Sequence, residues 1–537
     1  MLAPLISVLA AVAAPADRPN LVVVISIDQF RSDYLRRFED LYLPPGDARN
    51  PGGFRFLTEG GADFINSAFT HVPTETGPGH AVIGTGSCPS LNGIVGNEWF
   101  DRESGKIVYC VSDPGSKDVT TGQASMSAKN LWTTTMGDEL EQATGGASKT
   151  VSVALKDRAS ILMAGHKADQ VVWYDRRSGS WTTSDYYAPD GKLPAWAVEV
   201  NGRRIPDTFK GKSWTAALPA SAHRRTRPAE NPSAPAAFGK TFPHTPRQDD
   251  SFYDDWTRTP WANDFVIDTA IQALVSEGLG KDEVPDILTI NLSTNDYVGH
   301  WFGPNSPEVL EISVATDRSL AKLFQAIQRA LPRGLQDSLI VVTADHGVMP
   351  MAEDWMKDQV RGGRLQLADL RTPVDTALKA GFGEVTLVRD FGDMMITLDE
   401  AACRTAGVAL DDAAQTIRDA LVSLPFVHSA YTARQIQEGD VGGTLARVLA
   451  KSYNKDRYGH VVYFLRPGYI FGSAGTGHGS PWSYDANVPL LLLGPMIEPG
   501  VHVIPAGPED IAPTVCAALG ITAPNGCVGR AVGLKRN

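Results

Sequence analysis

The fold is decided by Leu21-Val22-Val23-Val24-Ile25-Ser26-Ile27, a run that ends at Asp28. The run is almost entirely aliphatic and lacks the polar alternation of a strand that has one face in water. Such a strand is buried on both faces, as in a parallel sheet that helices cover. The same pattern returns at residues 286–292, 338–343 and 488–493, so we expect four strands of one sheet.

Helical periodicity marks three other stretches, at residues 263–279, 306–331 and 508–519. Asn263 is the expected N-cap of the first, and Ser306 the expected N-cap of the second, with Pro307 at its first helical position. Strands that alternate with helices predict an α/β fold. We therefore expect a doubly wound, mostly parallel central sheet that is flanked by helices.

Two segments look like inserted caps. Residues 169–255 are rich in Trp and Tyr and carry six prolines from Pro219 to Pro246. The second insertion is expected at about residues 351–472, with a strand-like stretch at 384–388 and a helix near 410–424. The 537 residues then fit one catalytic α/β domain over residues 17–537 with these two insertions.

The N-terminus has the pattern of a secretory signal. Residues 2–14 are apolar but too few to span a bilayer, and the small residues of 11–16 offer Ala-x-Ala-like cleavage positions. We predict a signal peptide over residues 1–16 and a periplasmic or secreted protein, with a disordered apolar tail as the alternative. No later run of 18 apolar residues occurs, so no membrane span is expected after signal removal.

Charge excludes one class of partner. Asp and Glu number 61 against 49 Lys and Arg, and no basic block offers a surface for phosphate backbones. A nucleic-acid-binding surface is therefore not expected. The number of subunits is left open by the sequence.

Five cysteines are compatible with export. Cys88 with Cys110, and Cys516 with Cys527, are close enough in sequence to pair, which leaves Cys403 over. We expect these two bridges, with five buried free thiols as the alternative.

Acidic residues stand where the predicted strands end. Asp28 follows the first strand, Asp296 follows the second, and Asp345 with His346 follows the third. In open α/β sheets, ligands bind outside the carboxyl ends of the strands. These side chains should therefore converge on one edge of the sheet, whereas a single Asp after a strand would more simply be a turn former.

Imidazoles complete the expected metal site. His300 is four residues after Asp296, so one helical turn or a compact loop could bring both to one metal, and His478 lies in a glycine-flanked loop before the fourth strand. Carboxylate and imidazole together suit zinc, and a more carboxylate-rich site also tolerates manganese or magnesium. The remaining histidines are interpreted as structural or surface groups: His71, His80, His166, His223, His244, His428, His460 and His502.

A possible nucleophile and a possible phosphate clamp lie elsewhere. Thr76 is followed by Gly77-Pro78, which suits a helix N-terminus, where free N–H groups receive an anion. A hydroxyl near zinc there is a candidate nucleophile, and an ordinary N-cap is the alternative. Lys156 and Arg158 end a strand-like run, and extended backbone would put both on one face to clamp a phosphoryl group. Solvated surface charge is the alternative for that pair.

Taken together, these motifs resemble the alkaline phosphatase superfamily, in its branch related to the nucleotide pyrophosphatase/phosphodiesterases. The matching features occur in the family's order: the strand before Asp28, Pro73-Thr-x-Thr76-x-Pro-x-His80, Asn97 after Gly-Ile-Val-Gly, Asp296-x-x-x-His300, Asp345-His346-Gly347 and Gly-x-Gly-His478. A sulfatase-type nucleophile motif is not found, because Cys88-Pro89-Ser90 does not fit it.

The resemblance implies a division of labour among these residues. One zinc would be held by Asp296, His300 and His478, and the other by Asp28, Asp345 and His346, with Thr76 as the nucleophile between the two ions. Asn97, Lys156 and Arg158 would bind the non-bridging phosphate oxygens. Mn²⁺ or Mg²⁺ could fill one of the two sites, and the resemblance leaves open whether an additional Ca²⁺ is bound.

The resemblance also implies the activity. The Lys156-x-Arg158 pair looks like that of the threonine-dependent alkaline phosphatases in this branch, which the diesterases generally lack. We expect a periplasmic or secreted alkaline phosphatase that hydrolyses small-molecule phosphate monoesters through a phosphothreonine. The alternatives are a phosphodiesterase or nucleotide pyrophosphatase with the same metals, and an inactive phosphate-binding or interaction protein on this fold.

Overall fold

The computed structural model describes residues 18–358 and 360–535. The signal predicted over residues 1–16 therefore lies outside the described residues. The strands are numbered along the chain: β1 Leu21–Ile27, β2 Ala62–Phe64, β3 Glu98–Asp101, β4 Lys106–Tyr109, β5 Ser112–Lys117, β6 Ala124–Met126, β7 Thr150–Ala154, β8 Gln170–Asp175, β9 Ser180–Thr182, β10 Asp286–Leu292, β11 Ser338–Thr343, β12 Gly363–Leu365, β13 Val388–Phe391, β14 Met395–Leu398, β15 Val427–Thr432, β16 Val461–Leu465, β17 Tyr469–Phe471, β18 Leu490–Leu493 and β19 Gly500–His502.

The α-helices are numbered in the same way: α1 Tyr34–Arg37, α2 Phe54–Gly60, α3 Thr76–Thr85, α4 Pro89–Asn92, α5 Met136–Thr144, α6 Asp157–Ala164, α7 Ala195–Gly202, α8 Ala220–His223, α9 Phe252–Trp256, α10 Pro260–Glu277, α11 Thr294–Phe302, α12 Pro307–Ala330, α13 Ala352–Lys357, α14 Leu367–Phe382, α15 Glu400–Ala406, α16 Leu410–Val422, α17 Ala433–Glu438, α18 Thr444–Ser452, α19 Ser483–Ala486 and α20 Ile511–Leu519. Short 3-10 helices occur at Glu39–Leu41, Ala128–Asn130, Ile205–Phe209, Gly334–Asp337 and Pro508–Asp510.

Nine strands form the central sheet, in the order β19-β2-β18-β11-β1-β10-β7-β8-β9. β1 lies between β10 and β11 and runs parallel to both. The parallel run continues through β7 to β8, whereas β18 is antiparallel to β11 and to β2, and β9 is antiparallel to β8. The predicted doubly wound, mostly parallel sheet is confirmed.

Helices cover both faces of the sheet, which explains why every residue of β1 except Ser26 is aliphatic. Leu21, Val23, Ile25 and Ile27 pack into the core that contains α10 and α12. Val22 and Val24 face the opposite layer, which includes side chains of α5 and α20. A polar residue on either side of β1 would lose its water without gaining a partner.

Helix ends were predicted with mixed success. Ser306 is the N-cap of α12, as expected, and its hydroxyl accepts a hydrogen bond from the Val309 N–H. α10, however, begins at Pro260, because that proline takes the first turn and Asn263 lies inside the helix. Asn263 instead uses its side chain to donate to Thr316 Oγ1 at 3.1 Å, joining α10 to α12.

The predicted insertions contain two kinds of structure. Residues 169–255 begin with β8 and β9, which are edge strands of the central sheet, so the part without central-sheet strands starts after Thr182. Residues 351–472 carry a separate four-stranded sheet, in the order β13-β14-β16-β15, with α14 and α16 packed into its core. The strand expected at 384–388 is instead β13, which begins at Val388.

The predicted disulfides are wrong, because all five cysteines lie in the described residues and all are free thiols. The sulfurs find other neighbours: Cys88 Sγ lies 3.3 Å from Ser90 Oγ, and Cys527 Sγ lies 3.9 Å from the Gly529 carbonyl oxygen. Cys110 is fully buried in an apolar cluster, as a small hydrophobic residue would be.

No helix among residues 18–358 and 360–535 is long and apolar enough to cross a membrane.

Candidate active site

The carboxyl ends of three adjacent strands supply the acidic groups of the site. Asp28 directly follows β1, Asp345 follows β11, and Asp296 lies in the first turn of α11, just after β10. All three side chains are buried. Since β1 pairs in register with both neighbours, their ends meet at one edge, as the sequence predicted.

Thr76 is the first residue of α3 and lies at the floor of a cavity of about 380 Å³. Glu75 precedes it with extended dihedrals. Gly77 N–H donates to Asn97 Oδ1 at 2.7 Å, and Asn97 N–H donates to Glu75 Oε2 at 2.9 Å. Asn97 is thereby fixed next to the threonine.

Lys156 and Arg158 both reach Thr76, but not along an extended strand. β7 ends at Ala154, Lys156 is the N-cap of α6, and Arg158 lies in the first turn of that helix. The expectation of two cations on one strand face is therefore wrong, because the chain turns into a helix at this point. Lys156 Nζ lies 3.3 Å and Arg158 Nη2 3.2 Å from Thr76 Oγ1.

Lys156 also joins two carboxylates. Its Nζ lies 2.7 Å from Asp28 Oδ2 and 2.6 Å from Asp296 Oδ2. Burial lowers the pKa of this ammonium, but the two carboxylates raise it by more, so the net shift is upward. The two carboxylates therefore favour the charged form of the lysine beside the threonine.

Burial raises the pKa of Asp28, and the neighbouring Asp345 raises it further. Burial likewise raises the pKa of Asp345, to about 6. Asp296 differs, because Lys156 and His300 overcome its desolvation and lower its pKa. Three buried carboxylates thus share one ammonium, that of Lys156, which leaves negative charge uncompensated among the residues that the structure describes.

The donor set fits divalent cations. Two groups place every ligand atom within 4.8 Å of the others: Asp28, Asp345 and His346, and Asp296, His346 and His478. Within the part of the chain that the structure describes, Oδ1 of Asp28, Oδ2 of Asp345 and Nε2 of His346 are buried without a hydrogen-bond partner. Buried, unpartnered acceptor atoms of this kind suit a bound metal.

Backbone carbonyls orient the three histidines. Nδ1 of His300 lies 2.8 Å from the Thr476 oxygen, and Nδ1 of His478 lies 2.8 Å from the Thr74 oxygen. Nδ1 of His346 lies 2.9 Å from its neighbour's carbonyl oxygen in the same way. A carbonyl oxygen only accepts, so each Nδ1 carries the proton, and Nε2 of His346 and Nε2 of His478 offer their lone pairs. His300 lies outside the tight groups, with its Nε2 3.1 Å from Asp296 Oδ1.

Sequence reasoning missed Gln29. Its N–H donates to Asp345 Oδ1 at 3.1 Å, and its Nε2 donates to Asp296 Oδ1 at 2.8 Å. The residue has φ of 62°, which a non-glycine residue adopts only where the surroundings hold it. Gly299 makes room for it, since a Cβ there would come 1.8 Å from Gln29 Oε1.

His80 was interpreted as structural, and it lies within the site's framework. Its Nδ1 is 2.8 Å from the Thr76 carbonyl oxygen, and its Nε2 is 2.9 Å from Asn291 Nδ2. It therefore packs α3 against the strand that precedes Asp296. The signal was its spacing of four from Thr76, which puts both on one face of a helix.

The chain is similar to known phosphatases over almost its full length. The sequence profile of the family described as type I phosphodiesterase / nucleotide pyrophosphatase matches residues 22–473. Alkaline phosphatase PafA of Elizabethkingia meningoseptica is 33% identical over 526 residues, which cover 96% of this chain and 94% of that protein. Alkaline phosphatase PhoV of Synechococcus elongatus is 34% identical over 524 residues, with coverages of 96% and 92%.

Solved structures agree with the sequences. The crystal structure of wild-type PafA has a TM-score of 0.88 at 33% identity and covers 97% of this chain and 99% of that chain. A PafA variant with one threonine, one asparagine, one lysine and one arginine substituted has a TM-score of 0.89 at 32% identity, with the same coverages.

Proposed function

This chain belongs to the type I phosphodiesterase / nucleotide pyrophosphatase family, whose members hydrolyse phosphate esters, and we propose that it is a two-metal alkaline phosphatase that uses Thr76 as its nucleophile. The observation that carries the proposal is the convergence of Lys156 Nζ and Arg158 Nη2 on Thr76 Oγ1. The four residue types substituted in the PafA variant, threonine, asparagine, lysine and arginine, are also the types that meet here in Thr76, Asn97, Lys156 and Arg158.

The chain's own donors would bind the phosphoryl group. Because Asn97 Oδ1 is occupied by the Gly77 N–H, the Nδ2 donors of Asn97 are left for a substrate oxygen. Lys156 and Arg158 would give charge-assisted hydrogen bonds to oxygens that carry negative charge in the transition state. These groups are preorganised, since their positions do not depend on the substrate.

The metal ligands would be Asp296, His300 and His478 for one ion and Asp28, Asp345 and His346 for the other, with zinc as the proposed metal. Two divalent ions, when bound, favour the alkoxide of a nucleophile and stabilise a departing oxygen. Oδ1 of Asp28 and Oδ2 of Asp345, which are buried without a hydrogen-bond partner among the described residues, would then face positive charge.

Thr76 would attack in line with the leaving group. A bond forms between Thr76 Oγ1 and phosphorus while the ester P–O bond breaks, and the alcohol leaves. Water then attacks the phosphothreonine, the Oγ1–P bond breaks, and inorganic phosphate is released with Thr76 restored. His80 holds the Thr76 carbonyl throughout, so the helix start stays in register with the donors.

Monoesters fit this arrangement better than diesters. A monoester presents three non-bridging oxygens and about two negative charges, whereas a diester presents two oxygens and one charge. Two cations and one amide match the monoester. A phosphodiesterase that uses the same metals is the second candidate, favoured by the description of the matching family.

The test is turnover of an aryl phosphate and of the corresponding aryl methyl diester by one purified sample, before and after treatment with a chelator. We expect the monoester to be faster and both activities to depend on metal. Faster turnover of the diester would favour the phosphodiesterase. Phosphate binding without turnover of either ester would favour an inactive binding protein.

Export to the periplasm or medium is part of the proposal and is supported by the apolar residues 2–14 and the small residues that follow. N-terminal sequencing of the protein from the periplasmic or secreted fraction tests it. A mature chain that starts near residue 17 is the expected result, and a full-length chain confined to the cytoplasm would contradict export.

A further inference from the structure

We propose that Tyr109 is a positioning residue that fixes the guanidinium of Arg158 against Thr76 and so contributes to the preference for monoesters. The inference rests on the proposed function, in which Arg158 binds a non-bridging phosphate oxygen. Tyr109 does not touch Thr76, so its effect must pass through Arg158.

The phenol of Tyr109 lies between Arg158 and Asp157. It donates to Asp157 Oδ1 at 2.5 Å and accepts from Arg158 Nη1 at 3.3 Å. A carboxylate accepts and a guanidinium donates, so the direction of both hydrogen bonds is fixed. With Nη1 held by the phenol, Nη2 points to Thr76 Oγ1 at 3.2 Å.

Little else holds the Arg158 side chain. Among residues 18–358 and 360–535, its Nε is buried without a hydrogen-bond partner, and no carboxylate forms an ion pair with its guanidinium. When a phosphoryl group binds, it takes over the contacts at Thr76. Tyr109 is then the remaining protein group that sets the orientation of the guanidinium.

The chain topology supports a joint role for Tyr109 and Asn97. Tyr109 is the last residue of β4, and Asn97 directly precedes β3, its partner in a two-stranded hairpin. Cys110 N–H donates to the Asn97 carbonyl oxygen at 2.9 Å, which closes the base of this hairpin. The base of this one hairpin thus carries both the Asn97 amide, which contacts α3, and the Tyr109 phenol, which contacts Arg158.

Removing the phenol oxygen should leave the charge of Arg158 unchanged, but the guanidinium should no longer be held in one orientation. A correctly oriented arginine can engage two oxygens, and a free one loses part of that geometry. The kcat/KM for monoesters, which contact all the groups of the clamp, should fall more than the kcat/KM for diesters. The loss should vanish when Arg158 is absent.

The experiment is a double-mutant cycle of Tyr109→Phe and Arg158→Ala in the metal-loaded enzyme, with kcat/KM measured for an aryl phosphate and its aryl methyl diester. For Tyr109→Phe we expect a loss of about 3- to 15-fold on the monoester and of less than about 2-fold on the diester. In the Arg158→Ala background, the same substitution should cost less than about 2-fold on either ester. Tyr187→Phe is the matched control, because that phenol is buried and, like Tyr109, donates a hydrogen bond, in its case to the Gly165 carbonyl oxygen at 2.9 Å.

Four outcomes would overturn the inference. Equal losses on both esters, or an undiminished loss in the Arg158→Ala background, would make Tyr109 a structural residue. No loss in Tyr109→Phe, while Arg158→Ala is impaired, would reject the role of Tyr109 and leave the proposed function intact. No loss in Arg158→Ala itself would reject the phosphate clamp and, with it, any role of Tyr109 through that clamp.

Discussion

Gln29 Nε2 lies 2.8 Å from Asp296 Oδ1, so a residue that follows β1 holds a carboxylate on α11. The backbone N–H of the same residue donates to Asp345 Oδ1. One residue therefore links ligands of both proposed metal sites, and it does so with a left-handed backbone that Gly299 accommodates.

Gln29→Leu should weaken metal retention, because the carboxamide that orients Asp296 is lost. Loss of such an outer partner typically costs about 10- to 100-fold in metal affinity. Competition with a zinc-binding dye measures it directly, and Gln325→Leu, on α12, is the control at a distance from the site. Unchanged affinity in Gln29→Leu would show that the carboxylates hold their positions without this contact.

Thr76→Ala should lose activity by about 10³-fold or more, since the nucleophilic oxygen is removed. Metal content should stay near that of the wild type. Phosphopeptide mapping after an acid quench should find phosphate on Thr76, whereas Thr74 donates to the Ser480 carbonyl oxygen and should stay unmodified. Phosphate on Thr74, or near-normal activity of Thr76→Ala, would refute the assignment.

Removal of metal should abolish turnover and lower the thermal midpoint. Without the ions, the buried carboxylates of Asp28, Asp296 and Asp345 share the one ammonium of Lys156, so the folded state loses the stabilisation that metal binding supplies. Elemental analysis should give two transition-metal ions per chain, and calorimetry should show a lower midpoint after chelation. Full activity after exhaustive chelation, or less than one ion per chain, is incompatible with the proposed mechanism.

His71 should make stability sensitive to acid. Burial lowers its pKa to about 3, against about 6.5 in an unfolded chain. Between these values the unfolded state binds more protons, so the free energy of unfolding falls as the pH drops below about 6.5. The free energy of unfolding of His71→Phe, measured with urea, should therefore fall less than that of the wild type in this pH window. The difference should be up to about 1.4 kcal/mol per pH unit. Parallel pH profiles of the two proteins would exclude this role.

Much of the framework was predictable because it depends on local patterns. The aliphatic run before Asp28 predicts a strand with two buried faces. The residue that follows such a strand is expected at the carboxyl edge of the sheet, where ligands bind. Asp296 and His300 form one helical turn in α11, as their spacing indicated. Thr76 begins α3, as its Gly-Pro neighbours suggested.

The remaining features depend on contacts between distant parts of the chain. Gln29 reaches Asp296 across 267 positions, and Tyr109 reaches Asp157 across 48, and no local pattern signals either contact. Lys156 and Arg158 meet Thr76 through a helix start where an extended strand was expected. Cysteine spacing likewise carried no information about where the sulfurs pack.

We expect this enzyme to prefer phosphate monoesters because Arg158 completes the phosphate clamp. The most direct test is the ratio of kcat/KM for an aryl phosphate to that for its aryl methyl diester, in the wild type and in Arg158→Ala. Loss of a charge-assisted hydrogen bond costs about 1.5–3 kcal/mol, which is roughly 10- to 150-fold. We expect the wild type to be faster on the monoester and Arg158→Ala to narrow the ratio by roughly that factor. A wild type that is faster on the diester, or equal small losses on both esters, would contradict the account.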